Sequence, residues 1–156
     1  MDVNDVMVEE VITVSPDTKV RDAVKLMNEN EIGCLIIERS GKPLGIVTER
    51  DVLTRVVSQF ESFEQMVVSE IMSEPLIVGK VDMDLGEAVK IMLKWNIKKL
   101  PIVNGDSEKL AGLITFSDIV KADHIEHLLF KAIKQLRDTG WIPPKHMNRA
   151  IGLYIT

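Results

Sequence analysis

The feature that most restricts this chain is that it repeats itself. Sliding the sequence along itself by 65 places sets Val3-Asn4-Asp5-Val6-Met7 on Val68-Ser69-Glu70-Ile71-Met72. At the same spacing Asp17 falls on Asp82, Ala23 on Ala88, Val24 on Val89, Met27 on Met92, Ile32 on Ile97 and Leu35 on Leu100. The spacing then becomes 67, so that Gly45, Thr48 and Asp51 meet Gly112, Thr115 and Asp118. A long period of this kind means one supersecondary unit used twice, and whatever one copy folds into, the other must also fold into. The two extra residues fall in the region of Glu38–Pro43 in the first copy and Val103–Lys109 in the second. Both are polar, glycine-bearing stretches between apolar runs, and they read as hairpin turns that tolerate a change in length.

Within each copy the apolar spacing places the elements. Val11–Val14 and Leu76–Val78 read as short strands. Val20, Ala23, Val24 and Met27 recur at i, i+3, i+4 and i+7, as do Leu85, Ala88, Val89 and Met92, which is the stripe of a helix packed on one face. Asp84 with Glu87 supplies a capping pair at the start of the later helix. Cys34–Ile37 and Leu100–Val103 read as buried strands, followed after the turn by Leu44–Val47 and Leu110–Ile114, and a further helix begins at Thr48 or Thr115. Each copy is therefore strand, helix, strand, strand, helix. One such unit is too small to cover its own sheet, so the two pack together about a pseudo-two-fold axis in a mixed α/β (α+β) fold. The expected boundaries are 1–60 for the first repeat, 61–67 for a linker, 68–121 for the second repeat and 122–156 for a C-terminal amphipathic helix and tail.

This order and spacing, with the ending Gly-x-x-Thr-x-x-Asp in both copies, resembles the CBS domain, the module named after cystathionine beta-synthase. The resemblance covers residues 3 to 121. It implies a disc-like unit made of two motifs, association of two such units, and adenine nucleotides bound in the clefts between motifs.

The residues themselves suit such a ligand. A strand ending in Gly45 and running into a helix at Thr48 lets a ligand approach the backbone, and the first turn of the helix offers unpaired amide N–H groups to phosphate. Thr48 offers a hydroxyl to phosphate or sugar, and Asp51, one turn in, can accept hydrogen bonds from both hydroxyls of a ribose. Thr115, Ser117 and Asp118 hold the places of Thr48, Arg50 and Asp51 in the second copy. The resemblance implies ribose recognition for Asp51 and Asp118 and a basic residue facing the cleft at Lys99. Arg50 stands ready for a phosphate, Thr13 for a base or ribose, and Ile12, Ile37 and Ile102 are expected to flank the base. Val78 replaces Thr13 in the second copy and Cys34 replaces Lys99 in the first, so unequal clefts are expected. Thr-x-x-Asp at a helix start is equally the spacing of a capping box, and capping and binding are compatible.

Composition removes other classes. The single cysteine, Cys34, cannot form an internal bridge and reads as a small buried hydrophobe in a reducing compartment. No apolar run reaches the ~18 residues of a membrane span, and no leader-like start is seen, so a soluble cytoplasmic protein without membrane contact is expected. A chain of this length buries roughly 70% of its unfolded surface and needs neither disulfide nor metal. His124 and His127 stand at i and i+3, but no cysteine pair or carboxylate cluster completes a site, and no metal is expected. Up to residue 120 there are 13 basic against 21 acidic residues, and beyond it 6 against 3, so the tail is a distinct, basic piece.

Ile125, Leu128, Leu129, Ala132, Ile133 and Leu136 form an apolar stripe that must be covered, by the chain's own body or by a partner chain. Gly140 can end this helix and Pro143-Pro144 cannot continue it. Trp95 and Trp141 read as core or interface residues rather than stacking platforms. No nucleophile, base and orienting group recur in a catalytic arrangement, so an enzyme is not expected.

The leading expectation is a stand-alone regulatory sensor that requires no cofactor. It binds AMP, ADP or ATP between its repeats, with S-adenosylmethionine or NAD also compatible, forms a homodimer, and acts in trans on an unidentified protein partner. Two other readings are a nucleic-acid-binding protein using the basic tail and a structural dimerisation module with non-functional pockets.

Overall fold

The computed structural model describes residues 1–59, 63–122 and 125–143. It contains two three-stranded sheets. The first joins β1 (Thr13–Val14), β2 (Cys34–Arg39) and β3 (Lys42–Thr48), and the second joins β4 (Gly79–Lys80), β5 (Lys99–Val103) and β6 (Leu110–Thr115). In each sheet the short first strand runs parallel to the second, and the second and third form an antiparallel hairpin. α1 (Val20–Glu29) and α2 (Glu49–Arg55) cover the first sheet, and α3 (Leu85–Trp95) and α4 (Phe116–Val120) the second. The expected mixed fold of two like halves is present.

The first hairpin is set by its turn. Arg39 pairs with Lys42, leaving Ser40 and Gly41 between them at φ 54° and 79°. Two successive positive φ values match the right-handed twist of the strands, and glycine at the second position takes one of them without strain.

The first strand of the second copy lies later than Leu76–Val78, at Gly79–Lys80. The cause is Pro101. In the first copy Ile36 N–H donates to the Ile12 carbonyl at 3.4 Å; Pro101 stands at the place of Ile36 and has no N–H to give, so the ladder starts beyond it with Gly79 opposite Ile102. Asp84 caps α3 by accepting from Gly86 N–H at 2.9 Å, but Glu87 does not reach back to complete the expected pair. Directly after α2 the chain makes a 3-10 turn at Val57–Gln59.

The two halves are interlocked by their lead-in segments. Val3 is fully buried in the core of the second half, and Val68 in the core of the first. Val8 pairs with Leu113 on β6, and Ser73 with Ile46 on β3, so each sheet is extended by a strap belonging in sequence to the other copy. The straps explain the repeated glycine. A Cβ on Gly45 would stand 2.5 Å from Met72 Sδ, and one on Gly112 2.7 Å from Met7 Sδ. The room left by these glycines is taken by the chain's own straps and not by a ligand, which corrects the role expected for Gly45.

The stripe of α5 (Ile125–Asp138) packs on its own body, against α3. The sequence of α3 accommodates it: Gly86 and Leu93 stand where α1 has Arg21 and Asn28. Trp141 also packs on this core. Trp95 does not, being 56% exposed with the Lys94 ammonium 5.4 Å from its ring centre. His127 lies exposed on α5, while His124 and the stretch 144–156 fall outside the described residues. No helix among the described residues is long and apolar enough to cross a membrane.

Candidate functional site

Strand alternation decides which residues look into the space away from the helices. Leu35, Ile37 and Val47 enter the first core, and Leu100, Ile102 and Ile114 the second. Their neighbours Cys34, Ile36 and Thr48, and Lys99, Pro101 and Thr115, point the other way. Ile37 and Ile102 therefore face the helices, enclosed among core side chains, and cannot flank a base; one place along each strand, Ile36 and Pro101 face the other way, and both are buried there as well. Ile12 is half-buried against the first core, and Thr13 is half-buried in β1.

Both Thr-x-x-Asp motifs form complete capping boxes. Thr48 N–H donates to Asp51 Oδ2 at 2.8 Å, Thr48 Oγ1 donates to the same oxygen at 3.0 Å, and Asp51 N–H donates to Thr48 Oγ1 at 3.3 Å. Thr115 and Asp118 repeat this at 2.9, 2.6 and 3.3 Å. One oxygen of each carboxylate is thereby committed to the helix start, at a typical worth of about 1 kcal/mol, and Oδ1 is left to do anything else.

The two Oδ1 atoms differ in surroundings. Asp51, only 8% exposed, is approached by Ser73 Oγ at 3.4 Å and Arg55 Nη2 at 3.7 Å. Arg55 is itself fastened by Nη1, which donates to the carbonyls of Ile71 at 2.7 Å and Met72 at 3.0 Å. Asp118 Oδ1 has no hydrogen bond or ion pair among the described residues, and Asp118 lines a hollow of about 370 Å³ with Met1, Asp5, Val6, Lys121 and Ala122. Ser73, Arg55 and Lys121 were not picked out by the sequence pattern. Their signal was present in the repeat itself, because Ser73 answers to Val8, Arg55 to Ala122 and Lys121 to Thr54.

Lys99 crosses to the other half. Its Nζ and the Glu49 carboxylate each lie 3.4 Å from where a Cβ on Gly33 would stand. Burial pushes the Cys34 thiol above its usual range, the Lys99 charge pulls it back, and Glu49 adds to the rise. Cys34 and Lys99 occupy the same place in the two copies, so the pseudo-two-fold axis passes close to both. Arg50 and Ser117 are exposed on the first turns of α2 and α4, and the structure does not bring them against the carboxylates. A second, larger hollow of about 540 Å³, bordered by Asp2, Asn4, Glu9, Asp82 and Asn104, contains none of the expected site residues. No group of three or more His, Cys, Asp or Glu suited to a metal ion occurs among the described residues.

Residues 3–58 and 68–125 each match the CBS domain family. This chain is a CBS domain pair. It is 42% identical over 123 residues to an uncharacterized protein of Methanopyrus kandleri, covering 78% of this chain and 62% of that one. It is 34% identical over 117 residues to the CBS domain-containing protein YhcV of Bacillus subtilis, covering 75% of this chain and 81% of its relative. The chain thus spans less than two thirds of the Methanopyrus protein. Among solved structures, a CBS domain pair in complex with 5'-methylthioadenosine and S-adenosyl-L-methionine superposes with a TM-score of 0.69 at 25% identity, covering 78% of this chain and 94% of that one. The CBS pair described here accordingly has an architecture that, in that other protein, carries adenosine compounds.

Proposed function

We propose that this CBS pair is a regulatory module that binds an adenosine-containing ligand between its repeats and acts on a separate protein. The observation that carries the reading is Asp118: a carboxylate oriented by its own capping box, with Oδ1 free among the described residues, beside a hollow that also holds Lys121. A ribose brings two hydroxyl donors to such an oxygen, and an ammonium nearby suits a phosphate. AMP, ADP and ATP fit this chemistry. S-adenosylmethionine and NAD share the ribose, and S-adenosylmethionine is one of the two ligands of the solved relative. Thr48, Thr115 and Lys99 serve as positioning groups, the threonines through their boxes and Lys99 through its charge at the axis. Thr13, Arg50 and Ser117 remain the side chains to meet the outer parts of a ligand.

The module acts as a homodimer in the cytoplasm. Leu53 on α2 and Val120 on α4, which answer to each other in the repeat, are 61% and 43% exposed, so both halves present an apolar residue on equivalent helices. A ligand alters the shape read by a partner only to the extent that it binds one shape better than the other.

Thermal unfolding with AMP, ADP, ATP, NAD and S-adenosylmethionine tests the reading. At about 100 times its dissociation constant a ligand adds roughly 2.7 kcal/mol, a midpoint rise of several degrees. The full rise is expected for the wild-type chain and a clearly smaller one for Asp118→Ala. If none of the five shifts the wild-type midpoint, the carboxylates are caps only and the ligand-sensing reading is wrong.

A further inference from the structure

The two copies of the Thr-x-x-Asp motif differ in what stands against the second carboxylate oxygen. In the first half Arg55 bridges from Asp51 to the Ile71 and Met72 carbonyls, and Ser73 adds a hydroxyl. In the second half the same places are Ala122 and Val8, neither of which has a side-chain donor, and a hollow of about 370 Å³ opens beside Asp118. Both aspartates are held by the same capping box at the same helix start, so the contrast at Oδ1 comes down to the side chains around it, Arg55 and Ser73 against Ala122 and Val8.

We propose that Arg55 and Ser73 set the affinity of the first cleft by standing where a ligand's hydroxyl groups would stand on Asp51, so that the cleft at Asp118 binds tightly and the cleft at Asp51 weakly. This rests on the reading that both aspartates receive the ligand. The hydroxyl of Ser73 and one edge of the Arg55 guanidinium satisfy Asp51 Oδ1 from within the chain, and a ligand must displace them before its own donors reach that oxygen. Both contacts are long, at 3.4 and 3.7 Å, and Arg55 is 45% exposed on its side chain, so they hold the cleft loosely. The consequence is a weakened cleft rather than an abolished one. Arg55 and Ser73 act through Asp51 and are affinity-setting residues, not ligand contacts in their own right.

Calorimetric titration of the full chain with AMP, ADP, ATP, NAD and S-adenosylmethionine, each taken separately, tests this. Asp118→Ala is expected to remove the tighter class of sites. In that background Ser73→Ala and Arg55→Met should each strengthen the remaining class by about fivefold, the factor corresponding to loss of one weak competing contact. Ser73→Ala leaves both Arg55 bonds to the strap in place, so a gain there is independent of any loosening caused by Arg55→Met. Ala122→Arg, which copies the first half into the second, should weaken the tighter class by at least about fivefold. The proposal is overturned if Asp51→Ala is the variant that removes the tighter class, or if Ser73→Ala and Arg55→Met leave the weaker class where it was. A wild-type chain that takes up none of the five ligands overturns the ligand reading itself, and this proposal with it.

Discussion

α1 and α3 occupy the same place in the two repeats, and among the described residues only α3 is covered by a further helix. Val89 on α3 is buried beneath α5, whereas its counterpart Val24 on α1 is 38% exposed. The difference is already written along the helices: α1 turns Arg21, Lys25 and Asn28 outward, and α3 has Gly86, Lys90 and Leu93 at those places. A Cβ on Gly86 would come within 3.6 Å of Leu128, so the smallest residue lies where the covering helix comes close. Pseudo-symmetry thus fixes the core of each half, while the outer face of each helix records what it was shaped to meet. Among the described residues the second half is a three-layered unit and the first a two-layered one.

The sharpest way to break this comparison is to unload each helix in turn. Leu136 is buried in the second core, and Leu136→Ala should cost about 2–5 kcal/mol, as truncation of a packed leucine does. Val24→Ala, at the open place on α1, should stay within about 0.5 kcal/mol. Chemical denaturation of both variants measures the contrast; similar losses for the two would mean that α5 does not stabilise the second half in the way its burial implies.

The glycines under the straps offer a finer contrast. A Cβ on Gly112 would stand 2.9 Å from the Val8 carbonyl oxygen, whereas one on Gly45 would stand 3.1 Å from that of Ser73. Gly112→Ala and Gly45→Ala should each destabilise by about 1–3 kcal/mol through overpacking, the former more. Shortening the methionine in the way should then relieve the two unequally. Met72→Ala is expected to restore much of the loss in Gly45→Ala, because a flexible side chain is the main obstacle there. Met7→Ala should restore less in Gly112→Ala, because a backbone oxygen remains. Equal rescue by the two, read from denaturation midpoints, would place the straps differently from what is described here.

Much of this was legible in the sequence because repetition doubles every signal. The helix stripes, the hairpins and the boxes at Thr48 and Thr115 could each be read twice, and the paired residues agreed. The features that were not legible depend on the partner of a segment. Val3 and Val68 look like the starts of their own repeats, and nothing in local spacing says that each is buried in the other half. The strap over Gly45 has the same origin, which is why the glycine suggested room for a ligand. Pro101 is visible in the sequence, and its missing N–H is enough to move the strand from Leu76–Val78 to Gly79–Lys80. Hydrophobicity alone puts Ile37 and Ile102 at the cleft; counting alternation from Thr48 or Thr115 across the hairpin places them on the core side. Arg55 and Ser73 become visible only when the two copies are compared at the places where they disagree.

The smallest contrast lies where the halves meet at the axis. Cys34 and Lys99 are equivalent residues in unlike roles, a thiol in one copy and an ammonium in the other, and they are close enough for the charge to act on the thiol. Burial raises the Cys34 ionisation range, Lys99 opposes that rise by favouring the thiolate, and Glu49 reinforces it. Replacing Lys99 by methionine should therefore carry the thiol further upward, so that at a given alkaline pH less thiolate is present and alkylation is slower. Glu49→Gln should act in the opposite direction and bring ionisation to lower pH. The pH dependence of iodoacetamide labelling separates these shifts from a change in access, because access scales the rate at every pH whereas charge moves the midpoint of the profile. Midpoints that move in opposite directions in the two variants would establish that Lys99 reaches across the axis to the first repeat. A midpoint unmoved by Lys99→Met would mean that its ammonium points away from Cys34, and with that the electrostatic link between the two repeats at the axis would be lost.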